Sequence, residues 1–375
     1  MKATVVSRNL GAKRGFTLVD LAAVLAVSIS IAALAGPTMR SAQLHAKQSV
    51  SVLNLGRIGA LSGMYALDNG GRIPTYTWRG PGKSGERVQY TLPNGRVKTM
   101  TNDQNAASWQ NTAIIMGATG RFEGPFKVLN MTNRLSHRRF VHLVLWDYMG
   151  PQRDISLFAD PSDRNLVGWQ NNPLDYAFSG SGLPYSEGSP PAGYESDSSM
   201  STGNMRMRWA FASSYMSTTS AYLEAVPNGA FLPIASTPHL FVGNPAAGRD
   251  QLHNGRFVQE VLFPSSKVYF YEGFDRSLAS NPYFAYDFAA PNKLMFDGSI
   301  NTQISGESRS SVSPNFAPVQ SYKQIVSEGT SLWRGQYVPY DTFPIPVGGL
   351  GDNTELDFRY RWTYRGLSGI DYTVK

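Results

Sequence analysis

The sequence predicts an α+β protein in which a long N-terminal helix packs on a head rich in antiparallel β-strands. An apolar run at residues 16–36 contains 16 apolar residues among 21 and a single charge, Asp20. The next segment repeats apolar residues at helical spacing, which indicates that the helix continues. The remainder of the chain contains short aromatic or β-branched runs separated by Gly, Pro and Asn, as strands commonly are. One long helix followed by strands is typical of an α+β domain.

The composition limits the classes of function. The chain of 375 residues is long enough to bury a sizeable core, and its 42% hydrophobic and 12% aromatic residues are typical of a folded protein. It contains no cysteine, which excludes disulfide bonds, thiolate metal sites and cysteine nucleophiles. The net charge of +7 falls to +3 without Lys2, Arg8, Lys13 and Arg14, because 30 basic residues then stand against 27 acidic ones. The basic balance therefore comes mostly from the N-terminus and does not indicate a nucleic-acid site.

The apolar run has the length of a membrane-spanning helix. At 1.5 Å per residue it extends roughly 30 Å, about the thickness of the hydrocarbon core of a bilayer. The basic residues before it favour a cytoplasmic N-terminus and a head on the far side of the membrane. We therefore predict that the first half of the helix spans a membrane. Two alternatives stay open, namely a secretory signal cleaved near the small residues at 33–35 and a plain membrane anchor.

The start of this run carries a recognisable motif. The sequence KRGFTLVD at residues 13–20 resembles the cleavage and methylation site of type IV prepilins and type II secretion pseudopilins. The resemblance implies that a prepilin peptidase cuts after Gly15 and that the new N-terminal residue, Phe16, is methylated. It continues at Pro37, where pilin helices commonly carry a proline, and in the segment at residues 65–74. This chain differs from the family in having Asp20 where glutamate is usual.

The carboxylate of Asp20 needs a partner in an apolar environment, because an unpaired charge in a bilayer is costly. Cleavage after Gly15 would create an ammonium group at Phe16, and Asp20 could neutralise that group on a neighbouring subunit. Asp20 and Pro37 are therefore the predicted assembly residues. The alternative is that Asp20 is a tolerated polar residue near the membrane surface.

The helix is predicted to continue beyond Pro37 to residue 70. The Asn-Gly-Gly turn at residues 69–71 is a typical C-terminal stop. Six apolar residues precede it at helical spacing: Leu44, Val50, Leu53, Leu61, Met64 and Leu67. The predicted domains are a leader at residues 1–15, the helix at 16–70 and a periplasmic or extracellular β-rich head at 71–375.

Seven short runs predict the strands of the head: 112–116, 155–159, 207–216, 239–242, 267–272, 293–296 and 356–364. A short helix, or a strand, is predicted at 138–149. Two runs, FADPSD at 158–163 and LMFDGS at 294–299, are similar to segments of a pilin-like group from Planctomycetes-type bacteria with a C-terminal Asp-Gly element. Asp160 stands where that group has a cysteine.

Patterns that indicate catalysis or metal binding are weak in this sequence. The five histidines are dispersed, and neither a His-Glu-x-x-His helix nor a Gly-x-Ser-x-Gly turn nor a phosphate-binding loop occurs. Asp352, Glu355 and Asp357 are candidate calcium ligands, since calcium takes six or more oxygens, although we favour a solvated acidic turn. Arginines alternate with aromatic residues at 359–365, which favours a half-exposed strand with cation–π contacts over a nucleic-acid surface. We predict no catalytic residue and no cofactor other than this possible calcium ion.

The predicted function is that of a non-enzymatic, pseudopilin-like subunit of a type II secretion or type IV pilus-like system. The expected partners are the prepilin peptidase and methyltransferase, other pilin or pseudopilin subunits, the inner-membrane assembly platform and the membrane itself, but no nucleic acid. The expected location is the inner (cytoplasmic) membrane, with a single pass. The alternative is an exported or membrane-anchored binding protein for carbohydrate or a surface ligand, with Trp78, Trp109 and Trp169 as stacking platforms.

Overall fold

A computed structural model of the chain describes residues 18–83, 85–122, 128, 141–151, 153–171, 211–222, 256–277, 282–311, 323–326, 354–357 and 359–373. The backbone contacts divide the chain into two compact units, Met1–Ala46 and Lys47–Lys375. The described part of the first unit is the beginning of helix α1, Leu18–Asp68. The second unit contains the end of this helix and the head.

Helix α1 ends in a glycine turn. The N–H of Asn69 donates to the carbonyl of Tyr65 at 2.9 Å, and the N–H of Gly71 donates to the carbonyl of Ala66 at 2.7 Å. Gly70 and Gly71 have φ values of 64° and 82°, a left-handed conformation that glycine adopts without steric cost. The turn therefore stops the helix at the position where the sequence changes from apolar periodicity to Asn-Gly-Gly.

The prediction that the first half of the long helix spans a membrane is wrong for the part of the chain that the structure describes. No helix there is both long enough and apolar enough to cross a membrane. The prediction rested on the number of apolar residues in 16–36 and on a subunit partner for Asp20, and it gave no weight to Ser28 and Ser30. Polar groups at such positions are costly in hydrocarbon.

The described strands form three antiparallel sheets. Strands β1, Val88–Thr91, and β2, Val97–Met100, form a hairpin. The largest sheet has the order β3-β4-β5-β6 and consists of Tyr215–Ser217, Val268–Glu272, Lys293–Met295 and Ile300–Asn301. Strands β7, Lys323–Val326, and β8, Thr354–Asp357, form the third sheet.

The β-rich character predicted for the head is also wrong for the described residues, because their strands are only two to five residues long. The predicted strands at 267–272 and 293–296 correspond to β4 and β5. The segment at 112–116 instead lies in a helix, and the segment at 155–159 forms a 3-10 turn. Eight segments of the described part of the chain are 3-10 helices: Val141–Tyr148, Ile155–Phe158, Thr219–Ala221, Val258–Glu260, Pro264–Ser266, Ser305–Glu307, Arg359–Trp362 and Gly366–Ser368. The predicted strand at 239–242 lies outside the described residues.

Among the described residues of the head, two further segments are α-helices, namely α2, Asp103–Thr119, and α3, Arg164–Asn171. The side chain of Asn102 caps α2 by accepting a hydrogen bond from the N–H of Asn105 at 2.8 Å. Gly120 ends α2 at a φ of 64°. One face of α2 lies in a hydrophobic cluster with Leu143 and Trp146, which belong to the 3-10 helix Val141–Tyr148.

The end of α1 packs on the four-stranded sheet. Leu55, Ile58 and Tyr65 are buried in one hydrophobic cluster with Phe270 of β4 and Leu294 of β5. Gly59 allows this close approach, because a Cβ atom at its position would lie 3.1 Å from Cδ1 of Leu294. The main core of the head is therefore built directly under the second part of α1.

Candidate functional site

The beginning of helix α1 exposes large apolar side chains. Ile29 is 67% exposed and Met39 is 62% exposed, whereas the core residues Leu55 and Ile58 of the same helix are fully buried. The other exposed apolar residues of this part are Leu18, Leu21, Val24, Leu25, Val27 and Leu44. Helices in proteins obtain most of their stability from the packing of an apolar face. The members of this set lie on several sides of the helix. We call the set the apolar face of α1, and it is the feature of the described chain that most clearly requires a partner.

The predicted processing and assembly residues lie at this end of the chain. Gly15 and Phe16 lie outside the described residues. Asp20 and Pro37 lie within helix α1, and their side chains are not described. The structure thus places the two predicted assembly residues on the helix that carries the apolar face and leaves their contacts open.

The end of α1 is attached to the head by polar contacts in a buried cluster. The hydroxyl of Ser51 donates to the carboxylate of Glu272 and is 2.9 Å from the hydroxyl of Tyr215. The side-chain amide of Asn54 donates to the carbonyl of Ala159 at 3.2 Å. The four side chains of these contacts are all buried, so the hydrogen bonds are shielded from water: Ser51, Asn54, Tyr215 and Glu272. They fix the rotation of the helix on the head in addition to the apolar packing.

Glu272 is the most unusual carboxylate of this cluster. Its pKa is raised to about 7, mainly by burial and in second place by the negative charge of Asp160. Hydrogen bonds from Ser51 and Asn292 act in the opposite direction, since both favour the carboxylate. Asn292 contributes two of them, one from its backbone N–H and one from its side-chain amide, both at 2.9 Å.

Lys293 lies next to Asn292 and is fully buried. Burial lowers the pKa of its amine to about 7, against the charges of Glu272 and Asp275, which raise it. Its Nζ donates to the carbonyl oxygens of Pro291 at 2.6 Å and Gln303 at 2.7 Å. Glu272 and Lys293 therefore form a buried acid and base that both titrate near neutral pH.

A second group of charges lies beside this cluster, in the segment that resembles the pilin-like group. Nη2 of Arg276 is 2.7 Å from Oδ2 of Asp163, and Nη1 is 3.8 Å from Oδ2 of Asp160. Burial raises the pKa of Asp160, and the charge of Arg276 lowers it in part. The hydroxyl of Ser214 links the two residues, because it donates to the carboxylate of Asp163 at 2.8 Å and accepts from the backbone N–H of Asp160 at 3.0 Å. Asp160 thus belongs to a buried ion cluster.

This polar cluster was missed by the sequence analysis. The motif at 158–163 drew attention to Asp160, but Arg276 lies 113 residues from Asp163 along the chain, and no local pattern connects them. Glu272 and Lys293 lie inside the predicted strands 267–272 and 293–296 and were an available signal, because a charged residue in an apolar run needs a partner when it is buried.

The candidate calcium ligands are not brought together in the described residues. Asp352 lies outside them, and Glu355 lies on strand β8 with a side chain that is not described. Asp357 is buried, and its Oδ1 accepts hydrogen bonds from the N–H and the hydroxyl of Ser311 at 2.8 and 2.6 Å. Among the described residues no group of three or more His, Cys, Asp or Glu could hold a metal ion.

The aromatic residues proposed as binding platforms have protein contacts instead. Trp78 stacks on Tyr90 at a ring distance of 4.2 Å, and Nζ of Lys98 lies 4.8 Å from the ring centre of Trp109. Trp169 lies on α3, and its side chain is not described. The strand predicted at 359–365 is wrong, because Arg359–Trp362 is a buried 3-10 helix in which Arg361 donates to the hydroxyl of Tyr283 at 3.0 Å.

No protein-family model, curated protein or solved structure matches this chain. The resemblance of residues 13–20 to the prepilin motif therefore stays a prediction.

Proposed function

We propose that this protein is a non-enzymatic, pilin-like subunit that a prepilin peptidase processes after Gly15 and that assembles with other subunits through helix α1. The observation that carries the proposal is the apolar face of α1, which starts two residues after the predicted new N-terminus, Phe16. An isolated apolar helix is unfavourable in water, whereas a bundle of such helices buries the same side chains at about 25 cal/mol per Å². The motif at residues 13–20 supports the same proposal, because cleavage after Gly15 would place the apolar face at the start of the mature chain.

The buried polar contacts of Ser51 and Asn54 fit this function. A subunit that is held in an assembly through its helix must transmit force to its head through the contacts between the two. Ser51 and Asn54 link the helix to Tyr215, Glu272 and Ala159 across a dry interface. The remaining expected partners, an assembly platform and a processing enzyme at the inner membrane, are part of the same proposal.

Processing tests the proposal directly. A glycine before the cut fits the active site of the peptidase, so Gly15→Leu should keep the leader attached, whereas the matched change Gly11→Leu in the same leader should be processed normally. Mass spectrometry of the N-terminus should find a methylated Phe16 in the unchanged protein and in Gly11→Leu, and the full precursor in Gly15→Leu. A mature protein that starts at Gly36 in all three chains would contradict the proposal and favour an exported binding protein with an ordinary signal.

A further inference from the structure

A lysine and an aspartate that lie far apart in the sequence meet inside the head. Lys267 directly precedes strand β4, and Asp371 follows the 3-10 helix Gly366–Ser368, 104 residues further along the chain. Lys267 is fully buried and Asp371 is 2% exposed. The next residues of the two segments, Val268 and Tyr372, belong to the main hydrophobic cluster. The pair is therefore shielded from bulk water.

The backbone on both sides of Lys267 holds the carboxylate of Asp371 in place. The N–H of Asp371 donates to the carbonyl of Ser266 at 2.9 Å, and the N–H of Val268 donates to Oδ2 of Asp371 at 2.9 Å. Nζ of Lys267 is 3.1 Å from Oδ2 and 3.3 Å from Oδ1. Because these two distances are similar, the amine lies close to the carboxyl carbon that the two oxygens share.

The hydroxyl of Thr363 connects the amine to the carboxylate. Nζ of Lys267 donates to this hydroxyl, which in turn donates to Oδ1 of Asp371. A hydroxyl in this position can carry a proton from the nitrogen to Oδ1. The N–H of Val268 points at the other oxygen, Oδ2, where it can stabilise the negative charge that develops when a nucleophile adds to the carbon. The two carboxyl oxygens thus have the different partners that acyl transfer requires.

Burial also favours the reactive form of the amine. It lowers the pKa of Lys267, against the charge and the hydrogen bond of Asp371, which raise it. The unprotonated amine is the form that acts as a nucleophile. A buried ion pair retains a desolvation penalty for both charges, and a neutral amide in the same place would not.

We propose that Lys267 and Asp371 react with one another and form an intramolecular amide bond, with the Thr363 hydroxyl as the proton carrier. One proton passes from the ammonium group to Oδ1, and the free electron pair of Nζ then adds to Cγ of Asp371. A second proton follows from Nζ to Oδ1, the bond between Cγ and Oδ1 breaks, and Oδ1 leaves as water. The bond between Nζ and Cγ remains, and no oxidant or reductant takes part. In a chain without cysteine, this amide links the start of β4 covalently to the C-terminal segment.

Tryptic digestion of the denatured full-length protein, followed by mass spectrometry, tests the proposal. Without the bond, trypsin releases residues 257–267, 268–276 and 366–375 as three separate peptides. With the bond, the acylated lysine resists cleavage, so residues 257–276 and 366–375 form one branched peptide that is lighter than its parts by one water molecule. We expect the branched peptide. None of these peptides contains Gly15, so the result does not depend on the proposed processing.

Three variants serve as controls. Lys267→Arg and Asp371→Ala each remove one reacting group and should yield only separate peptides. Lys293→Met removes another buried lysine, whose Nζ donates to the carbonyl oxygens of Pro291 and Gln303, and should yield the branched peptide as the unchanged protein does. Only separate peptides from the unchanged protein would show that the pair remains an ion pair and would overturn the proposal, whether or not the variants fold. A branched peptide from Lys267→Arg or Asp371→Ala would overturn it as well.

The role of Thr363 has its own matched pair of variants. Thr363→Ser keeps the hydroxyl and should be linked as the unchanged protein is. Thr363→Val keeps the shape without the hydroxyl and should form the bond about a hundredfold more slowly, as expected for the loss of a proton-transfer group. The fraction of branched peptide, followed during incubation of the freshly purified proteins, measures this difference. Equal fractions in Thr363→Val and Thr363→Ser at every time would contradict the proposed proton transfer.

Discussion

Glu272 shows how burial changes the behaviour of a single side chain. Its pKa of about 7 lies above the usual value of 4.5 because a charged carboxylate loses its hydration in the interior. Between these two pH values the unfolded chain releases the proton of this residue, whereas the folded chain retains it. The unfolded state therefore binds fewer protons, and the contribution of Glu272 to the free energy of unfolding decreases as the pH rises through this window. Below pH 4.5 the carboxyl is protonated in both states, and its favourable contribution is fully present.

Replacing Glu272 with glutamine should remove this dependence. In Glu272→Gln the free energy of unfolding should lose the decrease between pH 4.5 and about 7 that the unchanged protein shows, a difference on the order of 3 kcal/mol across the window. Urea unfolding at several pH values measures it. Parallel pH profiles for the two proteins would show that burial does not hold the proton on Glu272.

Lys293 should act in the opposite direction and at higher pH. Its pKa is lowered from 10.5 to about 7, so the unfolded chain binds the additional proton between these values. Stability from this residue is consequently gained as the pH rises from about 7 to 10.5. Lys293→Met should raise the free energy of unfolding at pH 7 or below relative to the unchanged protein and should lose that advantage in alkaline solution. Chemical unfolding of Lys293→Met and of the unchanged protein at neutral and at alkaline pH measures this difference. A variant that is less stable than the unchanged protein at both pH values would contradict the prediction.

The ion cluster of Arg276 gives a prediction with a surface control. Arg276→Met leaves the buried carboxylates of Asp160 and Asp163 without their cation, which should cost about 3 to 5 kcal/mol of unfolding free energy. Arg153→Met removes an exposed pair with Asp147, whose atoms are 3.6 Å apart, and should cost less than about 1 kcal/mol. Thermal and urea unfolding of the two variants side by side measure the difference. Equal costs would mean that the buried cluster is hydrated.

At the scale of elements, local pattern predicted some segments and failed for others. Strands β4 and β5 were predicted because their aromatic and apolar runs stand between turn residues. The segment at 112–116 looks like a strand in isolation, yet the cap at Asn102 and the glycine at 120 place it inside α2. Periodicity in five residues cannot distinguish a buried strand from one buried turn of helix.

The candidate site was predictable only where it is local in sequence. The processing motif and the start of α1 are contiguous, so a sequence reader finds them. The contacts of Glu272 with Ser51 span 221 residues, and those of Arg276 with Asp163 span 113, so that only the folded chain brings them together. The membrane-spanning prediction failed for the opposite reason, because it relied on one local count of apolar residues.

The glycines of α1 provide a prediction at the scale of this element. Gly56→Ala adds a methyl group into open space, and the better helix propensity of alanine should raise the unfolding free energy by about 0.5 to 1 kcal/mol. Gly59→Ala places its Cβ 3.1 Å from Cδ1 of Leu294, so the side chain of Leu294 must move and the gain should be reduced or reversed. Urea unfolding of the two variants compares them. A larger gain for Gly59→Ala than for Gly56→Ala would show that α1 does not rest closely on strand β5.

At the scale of the whole molecule, the two units differ in whether they have a buried core among the described residues. The second unit buries two hydrophobic clusters and a polar cluster, and the end of α1 belongs to the larger hydrophobic cluster. The beginning of α1 in the first unit instead leaves its described large apolar side chains exposed. These exposed apolar side chains are therefore the surface through which we propose that subunits assemble, while the core of the second unit stabilises the head.

The proposed role of Asp20 makes the last prediction, and the sequence offers a clean way to measure it. Since the chain contains no cysteine, Leu25→Cys on the apolar face of α1 would introduce a single thiol, and crosslinks between neighbouring subunits would report their helix contacts. If Asp20 pairs with the ammonium group of Phe16 on the next subunit, Asp20→Ala should reduce these crosslinks strongly while the head keeps its unfolding temperature. Asp20→Glu keeps the charge and extends its reach by one methylene, so it should crosslink at least as well as the unchanged protein. The result for glutamate separates a specific ion pair from tolerance of any polar group, because mere tolerance predicts the same crosslinking for alanine, aspartate and glutamate. Equal yields for all three would show that assembly does not depend on the carboxylate.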